Sequence, residues 1–275
     1  MRFEIVDVFA EEPLAGNPLA VVRDCGELTT ARMQAMAFEM NFSETTFVVD
    51  EGPSRARVRI FTPTQELPFA GHPTLGTAAV LRGSQDRYTL ELDAGDVPVE
   101  FRDGIAWMEP PPVELLETYS ANRIGEWLDL PSASFDPDYE TQRTRVGIEF
   151  LFTGLDSRER LRQLRPDLAT LQRLPAFSLF AFTAEGCPEG IDYAARMFFD
   201  ANGLREDPAT GSANSAFAAY LRQARGDDFD VTVLQGVEMG RPSRIELQVR
   251  AGRIRVGGRV QSVARGEWTL RPVAD

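Results

Sequence analysis

Apolar and polar residues alternate over short stretches at 3–9, 19–23, 45–49, 57–61, 88–92 and 97–101, the period-two pattern of half-buried strands. Between the second and third of these, Leu28, Met33, Met36, Ala37 and Met40 recur at helical spacing, which predicts one amphipathic helix with a Met-rich core face. Asp103-Gly104 separates VPVEF from IAWM, and both residues tolerate positive φ, so a tight hairpin and antiparallel pairing are predicted there. Pro110-Pro111-Pro112 closes this region, and a helix carrying Ile124, Trp127 and Leu128 follows. Strand-like stretches then resume at 177–184, 193–199, 231–236 and 244–250 and continue to the C-terminus. The pattern predicts two domains, 1–115 and 116–275.

An internal echo ties the two halves together. His72-Pro73-Thr74-Leu75-Gly76-Thr77-Ala78 and Asp207-Pro208-Ala209-Thr210-Gly211-Ser212-Ala213 match as [HD]-P-x-x-G-[TS]-A at an offset of 135. Upstream, Arg59-Ile60-Phe61 and Arg196-Met197-Phe198 echo each other at an offset of 137. Residues 71–81 and 208–221 carry no formal charge apart from any on His72 and are rich in small residues. A helix with no polar face cannot lie on a surface, so each is expected to be sheathed by the strands of its own domain. The expected fold is α+β, with two pseudo-symmetric domains, each a mostly antiparallel rolled sheet around a central apolar helix.

Composition narrows the chemistry. Forty-two acids against 29 bases leave a net charge of −13, which argues against nucleic acid or an anionic membrane as partner. Every base is Arg, so no lysine is present to form a Schiff base or to reach nucleotide phosphates. One histidine, His72, and two cysteines 162 positions apart cannot furnish a tetrahedral zinc site of nitrogen and sulfur ligands. An all-carboxylate Mg²⁺ site stays open on composition alone, and no residue pattern calls for a metal or a cofactor. No G-x-S-x-G elbow is present, and Gly257-Gly258 reads as a strand turn, not a dinucleotide fingerprint. The acidic N-terminus and the lack of a long apolar run read as a soluble, cytoplasmic protein, in which Cys25 and Cys187 are reduced bystanders.

What chemistry remains is proton transfer and anion binding. Helices starting at 74–77 and at Thr210, Gly211 and Ser212 would offer unpaired backbone N–H groups and a positive dipole end to a carboxylate. The competing reading is that His72 and Asp207 merely open those helices, with Pro in the first turn; their paired occurrence favours function. Glu44 lies between the Met-rich helix and the strand ETTFVV. Burial there would raise its pKa, as a group that takes and returns a proton needs. A capping or sheet-edge glutamate fits the same local pattern.

GNPLAVV (16–22), NFSETTFVV (41–49), RIFTPTQELPFAGHPTLGTA (59–78), EDPATGSAN (206–214) and QGVEMGRPS (235–243) together resemble the PhzF-like phenazine-biosynthesis isomerase family over nearly the whole chain. The resemblance implies a diaminopimelate-epimerase-like fold with an active site in the cleft between two domains, a small anionic carboxylate substrate and a homodimer. It implies cofactor-free isomerisation, which in the family's best-known member moves a proton between ring carbons of a dihydro-hydroxyanthranilic acid. The family's acid/base glutamate falls on Glu44, its assisting histidine and aspartate on His72 and Asp207, and substrate-holding positions on Gly71 and Ser212. Related racemases carry cysteines where His72 and Asp207 stand, so two-thiol racemisation is disfavoured. Two other functions compete: an epimerase using Glu44 and Asp207 as opposing bases, and a binding or scaffold protein that keeps the fold without turnover.

Overall fold

The alternating stretches fold as strands, with ends shifted by a few residues from their expected positions. The computed structural model of the chain describes residues 1–176, 178–200 and 203–270, so Phe177, expected to open a strand, lies outside the described residues. The chain runs β1 (Arg2–Val8), β2 (Asn17–Val22), α1 (Thr30–Met40), β3 (Glu44–Glu51), β4 (Arg55–Phe61), β5 (Glu66–Leu67), α2 (Gly71–Leu81), β6 (Arg87–Leu92), β7 (Gly95–Arg102) and β8 (Ile105–Met108). It continues through β9 (Glu114–Tyr119), α3 (Ala121–Leu128), β10 (Thr141–Val146), β11 (Ile148–Gly154), α4 (Arg158–Gln163), α5 (Leu168–Arg173), β12 (Ser178–Thr183), β13 (Tyr193–Asp200) and β14 (Leu204–Asp207). It closes with α6 (Gly211–Arg225), β15 (Phe229–Gln235), β16 (Ser243–Arg250), β17 (Arg253–Gly258) and β18 (Val260–Glu267). None of these helices is long and apolar enough to cross a membrane.

Two compact units result, Met1–Glu109 joined by the segment from Gly257 onward, and Pro110–Val256. This differs from the contiguous division 1–115 and 116–275, and the reason is hydrogen bonding. β18 pairs antiparallel with β1 from Arg2 opposite Glu267 to Val8 opposite Val260, while β9 pairs with β10. The last strand of each half of the chain therefore closes the sheet that the other half begins.

The two sheets share one connectivity. In the first, β2 and β3 are parallel, β3 and β4 antiparallel, β4 and β6 parallel, β6 and β7 antiparallel. In the second the same sequence runs β11, β12, β13, β15, β16. A short strand, β5 or β14, hangs on β4 or β13 just before the central helix in each. The hairpin forms as expected, with Asp103 at φ 53° and Gly104 at φ 77° and Arg102 opposite Ile105.

Central helix α2 is buried continuously from Gly71 to Ala78. A Cβ on Gly76 would stand 2.6 Å from Leu19 Cδ2 and 2.7 Å from Val8 Cγ2, so the bare glycine is what lets β1 and β2 press against the helix. In the second unit α6 instead presents Phe217, whose ring lies 4.6 Å from that of Phe182 and 5.2 Å from that of Tyr193. Met33, Met36 and Ala37 of α1 are buried, as their spacing predicts.

The Arg-x-Phe echo acquires a physical meaning. Arg59 on β4 makes a bidentate pair with Glu66 of β5, both contacts at 2.6 Å, and lies over the Phe61 ring at 5.2 Å. Arg196 on β13 does the same with Glu206 of β14, both contacts at 2.8 Å, and lies over Phe198 at 4.6 Å. Each clamp fastens the chain leading into a central helix. Arg196 is buried and also donates to the carbonyls of Leu161 and Leu164, whereas Arg59 is partly solvated. Replacing buried Arg196 with Met leaves a half-buried acid and two carbonyls without their donor, and is expected to cost about 3–5 kcal/mol by urea unfolding. Arg59→Met is expected to cost about 1 kcal/mol or less; equal losses would contradict this account.

Candidate active site

Glu44 is the first residue of β3, and the parallel register sets it opposite Leu19 of β2. That register brings the Glu44 side chain and the carbonyl of the neighbouring Pro18 to the same end of the strand pair. His72 is the second residue of α2, nearly fully buried, and the first turn of the helix meets that end. His72 Nε2 lies 3.4 Å from Glu44 Oε2. The ring also hydrogen-bonds to the Pro18 backbone, whose one polar group is its carbonyl oxygen.

Burial decides the charge of the ring. Desolvation pushes the imidazole pKa down from 6.5 to about 3, outweighing the Pro18 contact that favours the charged ring. The Glu44 contact is therefore not an ion pair at neutral pH. Nε2 makes no regular hydrogen bond, so the N–H given to Pro18 is Nδ1–H and Nε2 carries the lone pair. That lone pair faces the Glu44 carboxyl oxygen.

The helix start itself differs from the expectation. α2 begins at Gly71, not at 74–77, so His72 stands inside its first turn. Ala70 caps without a side-chain bond, and Pro73 has no N–H to offer, which leaves Gly71 and His72 as the first-turn amides. Behind them Thr46 and Thr77 hydroxyls meet at 2.8 Å and tie α2 to β3.

In the second unit the echo is not matched turn for turn. Asp207 ends β14, and α6 begins at Gly211 with Thr210 as N-cap and Ser212 as its second residue. Asp207 thus stands four residues ahead of its helix, whereas His72 lies inside α2. The Thr210 hydroxyl donates to Asp207 Oδ2 at 2.5 Å and so does not cap the helix, whose first amides belong to Gly211 and Ser212. Of the expected site residues, Gly71, His72 and Glu44 come together in the first unit, and Asp207, Thr210, Gly211 and Ser212 in the second.

Sequence reasoning assigned no role to Gln235. This fully buried side chain at the end of β15 donates from Nε2 to the Asp207 carbonyl at 2.8 Å and to Thr210 Oγ1 at 3.2 Å. Its Oε1 accepts from the Thr210 N–H at 3.4 Å and from Asn214 Nδ2 at 3.0 Å. Gly236 follows at φ 76°, where a Cβ would collide with the Pro208 carbonyl at 2.6 Å. The signal was in QGVEMGRPS, where a Gln-Gly pair closes a strand, but its partners lie 21 to 28 positions upstream.

Both cysteine thiols bond to backbone carbonyls. Cys25 donates to the Val22 carbonyl at 3.3 Å and burial pushes its thiol up to about 12; burial also raises that of Cys187. Gly257 lies within β17 against the Trp107 ring instead of in a turn. Among the described residues no group of three or more His, Cys, Asp or Glu is placed to hold a metal ion.

The family model for phenazine biosynthesis-like proteins matches residues 6–266. The chain belongs to this PhzC-PhzF family. It is 39% identical to the trans-2,3-dihydro-3-hydroxyanthranilate isomerase of Pseudomonas aeruginosa, over 98% of this chain and 99% of that protein. Among solved structures it resembles one described as a predicted epimerase from Pseudomonas aeruginosa, with 33% identity, a TM-score of 0.82 and coverage of 98% and 99% of the two chains. A PhzF-family protein from Bacillus anthracis shares the fold at 23% identity, with a TM-score of 0.86 over 98% and 99% of the two chains. This PhzF-family chain is an isomerase or epimerase of a small molecule.

The neutral His72 has a stability signature. Below about pH 6.5 the unfolded chain's imidazole takes up a proton while the folded ring, with a pKa near 3, does not. The unfolded state then binds more protons, so this residue's contribution falls as pH is lowered, by up to about 1.4 kcal/mol per pH unit. Urea unfolding of wild type and His72→Gln from about pH 7 down to about pH 4 is expected to show a steeper acid-side loss in the wild type. Parallel curves would contradict a buried neutral histidine.

Proposed function

We propose that this chain moves a proton within a small carboxylic-acid substrate by cofactor-independent general acid–base catalysis, with Glu44 removing and returning the proton. The observation that carries this reading is the contact between Glu44 Oε2 and the buried, neutral His72 ring. A neutral acceptor nitrogen beside the carboxyl adds no cation to oppose proton uptake, and it can accept a hydrogen bond from the carboxyl once the proton has arrived, which suits a group that takes a proton and then gives it back. The absence of lysine supports the same reading, because it removes pyridoxal-type carbanion chemistry.

In the forward step a substrate C–H proton passes to the Glu44 carboxylate, and the electron pair of that bond enters the conjugated system beside the substrate's own carboxylate. In the return step the proton leaves Glu44 for another carbon on the same face. No atom is gained and nothing is oxidised. The amides of Gly71 and His72 and the turn at Thr210, Gly211 and Ser212 suit the substrate's carboxylate and the charge that develops in between. Asp207 assists placement. The compound in the name of the Pseudomonas aeruginosa relative, trans-2,3-dihydro-3-hydroxyanthranilate, is a carboxylate of this class.

The similar structure described as a predicted epimerase favours a second reading, in which Glu44 and Asp207 act on one stereocentre. Incubation in heavy water with trans-2,3-dihydro-3-hydroxyanthranilate and a panel of small cyclic acids separates the two. Proton migration gives deuterium at a new carbon with a shifted double bond, and epimerisation gives exchange with inversion at one centre. Glu44→Gln is expected to remain folded and to lose at least about 100-fold in deuterium uptake. Uptake retained in that variant would reject Glu44 as the base.

A further inference from the structure

We infer that Gln235 is a positioning residue that sets the rotation of the Asp207 carboxylate through the Thr210 hydroxyl, an inference that rests on the assisting role proposed for Asp207. Two backbone groups fix the orientation of the Gln235 amide. The Asp207 carbonyl, 2.8 Å away, can only accept, so it faces Nε2; the Thr210 N–H, 3.4 Å away, can only donate, so it faces Oε1. Asn214 Nδ2 adds a second donor to the same Oε1 at 3.0 Å.

With Nε2 so placed, its second N–H points to Thr210 Oγ1 at 3.2 Å. That oxygen is then an acceptor on one side, and its own proton goes to Asp207 Oδ2 at 2.5 Å. Donation from a hydroxyl onto a carboxylate oxygen at that distance holds that oxygen in one direction. The relay has one direction: Gln235 to Thr210, Thr210 to Asp207. Burial protects it, since Gln235 and Asn214 are closed to solvent and no water competes for either amide. Gly236 keeps it in register, because only a residue without Cβ at φ 76° allows the Pro208 backbone to come this close.

Gln235→Glu is the discriminating substitution: it keeps size and shape but replaces the donor with oxygen, so the introduced carboxylate would draw the Thr210 proton away from Asp207. Thr210→Val removes the hydroxyl while keeping its volume, and serves where Gln235→Glu fails to fold. With trans-2,3-dihydro-3-hydroxyanthranilate in heavy water, each is expected to lower kcat about 10- to 100-fold while KM changes by less than about threefold, as loss of a hydrogen bond to a charged group implies. The double variant is expected to be no worse than the worse single one, because both break one relay.

Asp207→Asn separates the two claims: if it leaves uptake unchanged, the role of Asp207 itself is wrong. If Asp207→Asn loses activity while Gln235→Glu and Thr210→Val do not, the relay is overturned. Crystal structures of the two relay variants decide the point without turnover, and a changed Asp207 side-chain torsion is expected in both. An unmoved carboxylate in both would also overturn the relay.

Discussion

A helix without a polar face must be enclosed, and the rest of the first unit follows from enclosing α2. Because Gly71 to Ala78 are all buried, the sheet has to curl around the helix, and Gly76 gives β1 and β2 the room to do so. The first turn is enclosed with the rest. An imidazole placed there cannot keep a charge, so His72 is neutral for the same reason that the fold exists. Its two nitrogens then divide the work between the Pro18 carbonyl and the Glu44 carboxyl, which the parallel register of β2 and β3 delivers to one place.

The second unit repeats the architecture and changes the chemistry. Its central helix is held by an aromatic cluster around Phe217, and the residue echoing His72 is Asp207, a carboxylate outside the helix and bonded to the Thr210 hydroxyl. One helix start offers a neutral acceptor beside a carboxyl, the other a hydroxyl-capped carboxylate. The equivalence in the sequence is thus one of chain path, and an Arg–Glu clamp one strand upstream preserves that path in both units.

Much of this was legible in the sequence, because it is written in local patterns. Period-two stretches gave the strands of the first unit, Asp103-Gly104 the hairpin, and the uncharged 71–81 and 208–221 the central helices. Glu44, His72 and Asp207 were picked out partly by resemblance; the structure sets the first two in contact. What was not legible depends on partners far apart in the chain. The exchange of β9 and β18 is set by pairing with β10 and β1 and has no local mark, so the domain division missed it. The start of α2 was expected after Pro73, at 74–77, although a proline as the third helical residue costs no bonded N–H. Gln235 was silent for the same reason: its meaning lies in Asp207 and Thr210, 28 and 25 positions away.

The central claim is that the ring beside Glu44 is neutral, with its proton on Nδ1. His72 is the only histidine in the chain, so its ring nitrogens give one unambiguous pair of ¹⁵N NMR signals. The account expects one protonated and one unprotonated nitrogen, unchanged from about pH 8 to about pH 4.5, in keeping with a pKa near 3. Two nitrogens that become protonated together near pH 6.5 would contradict it.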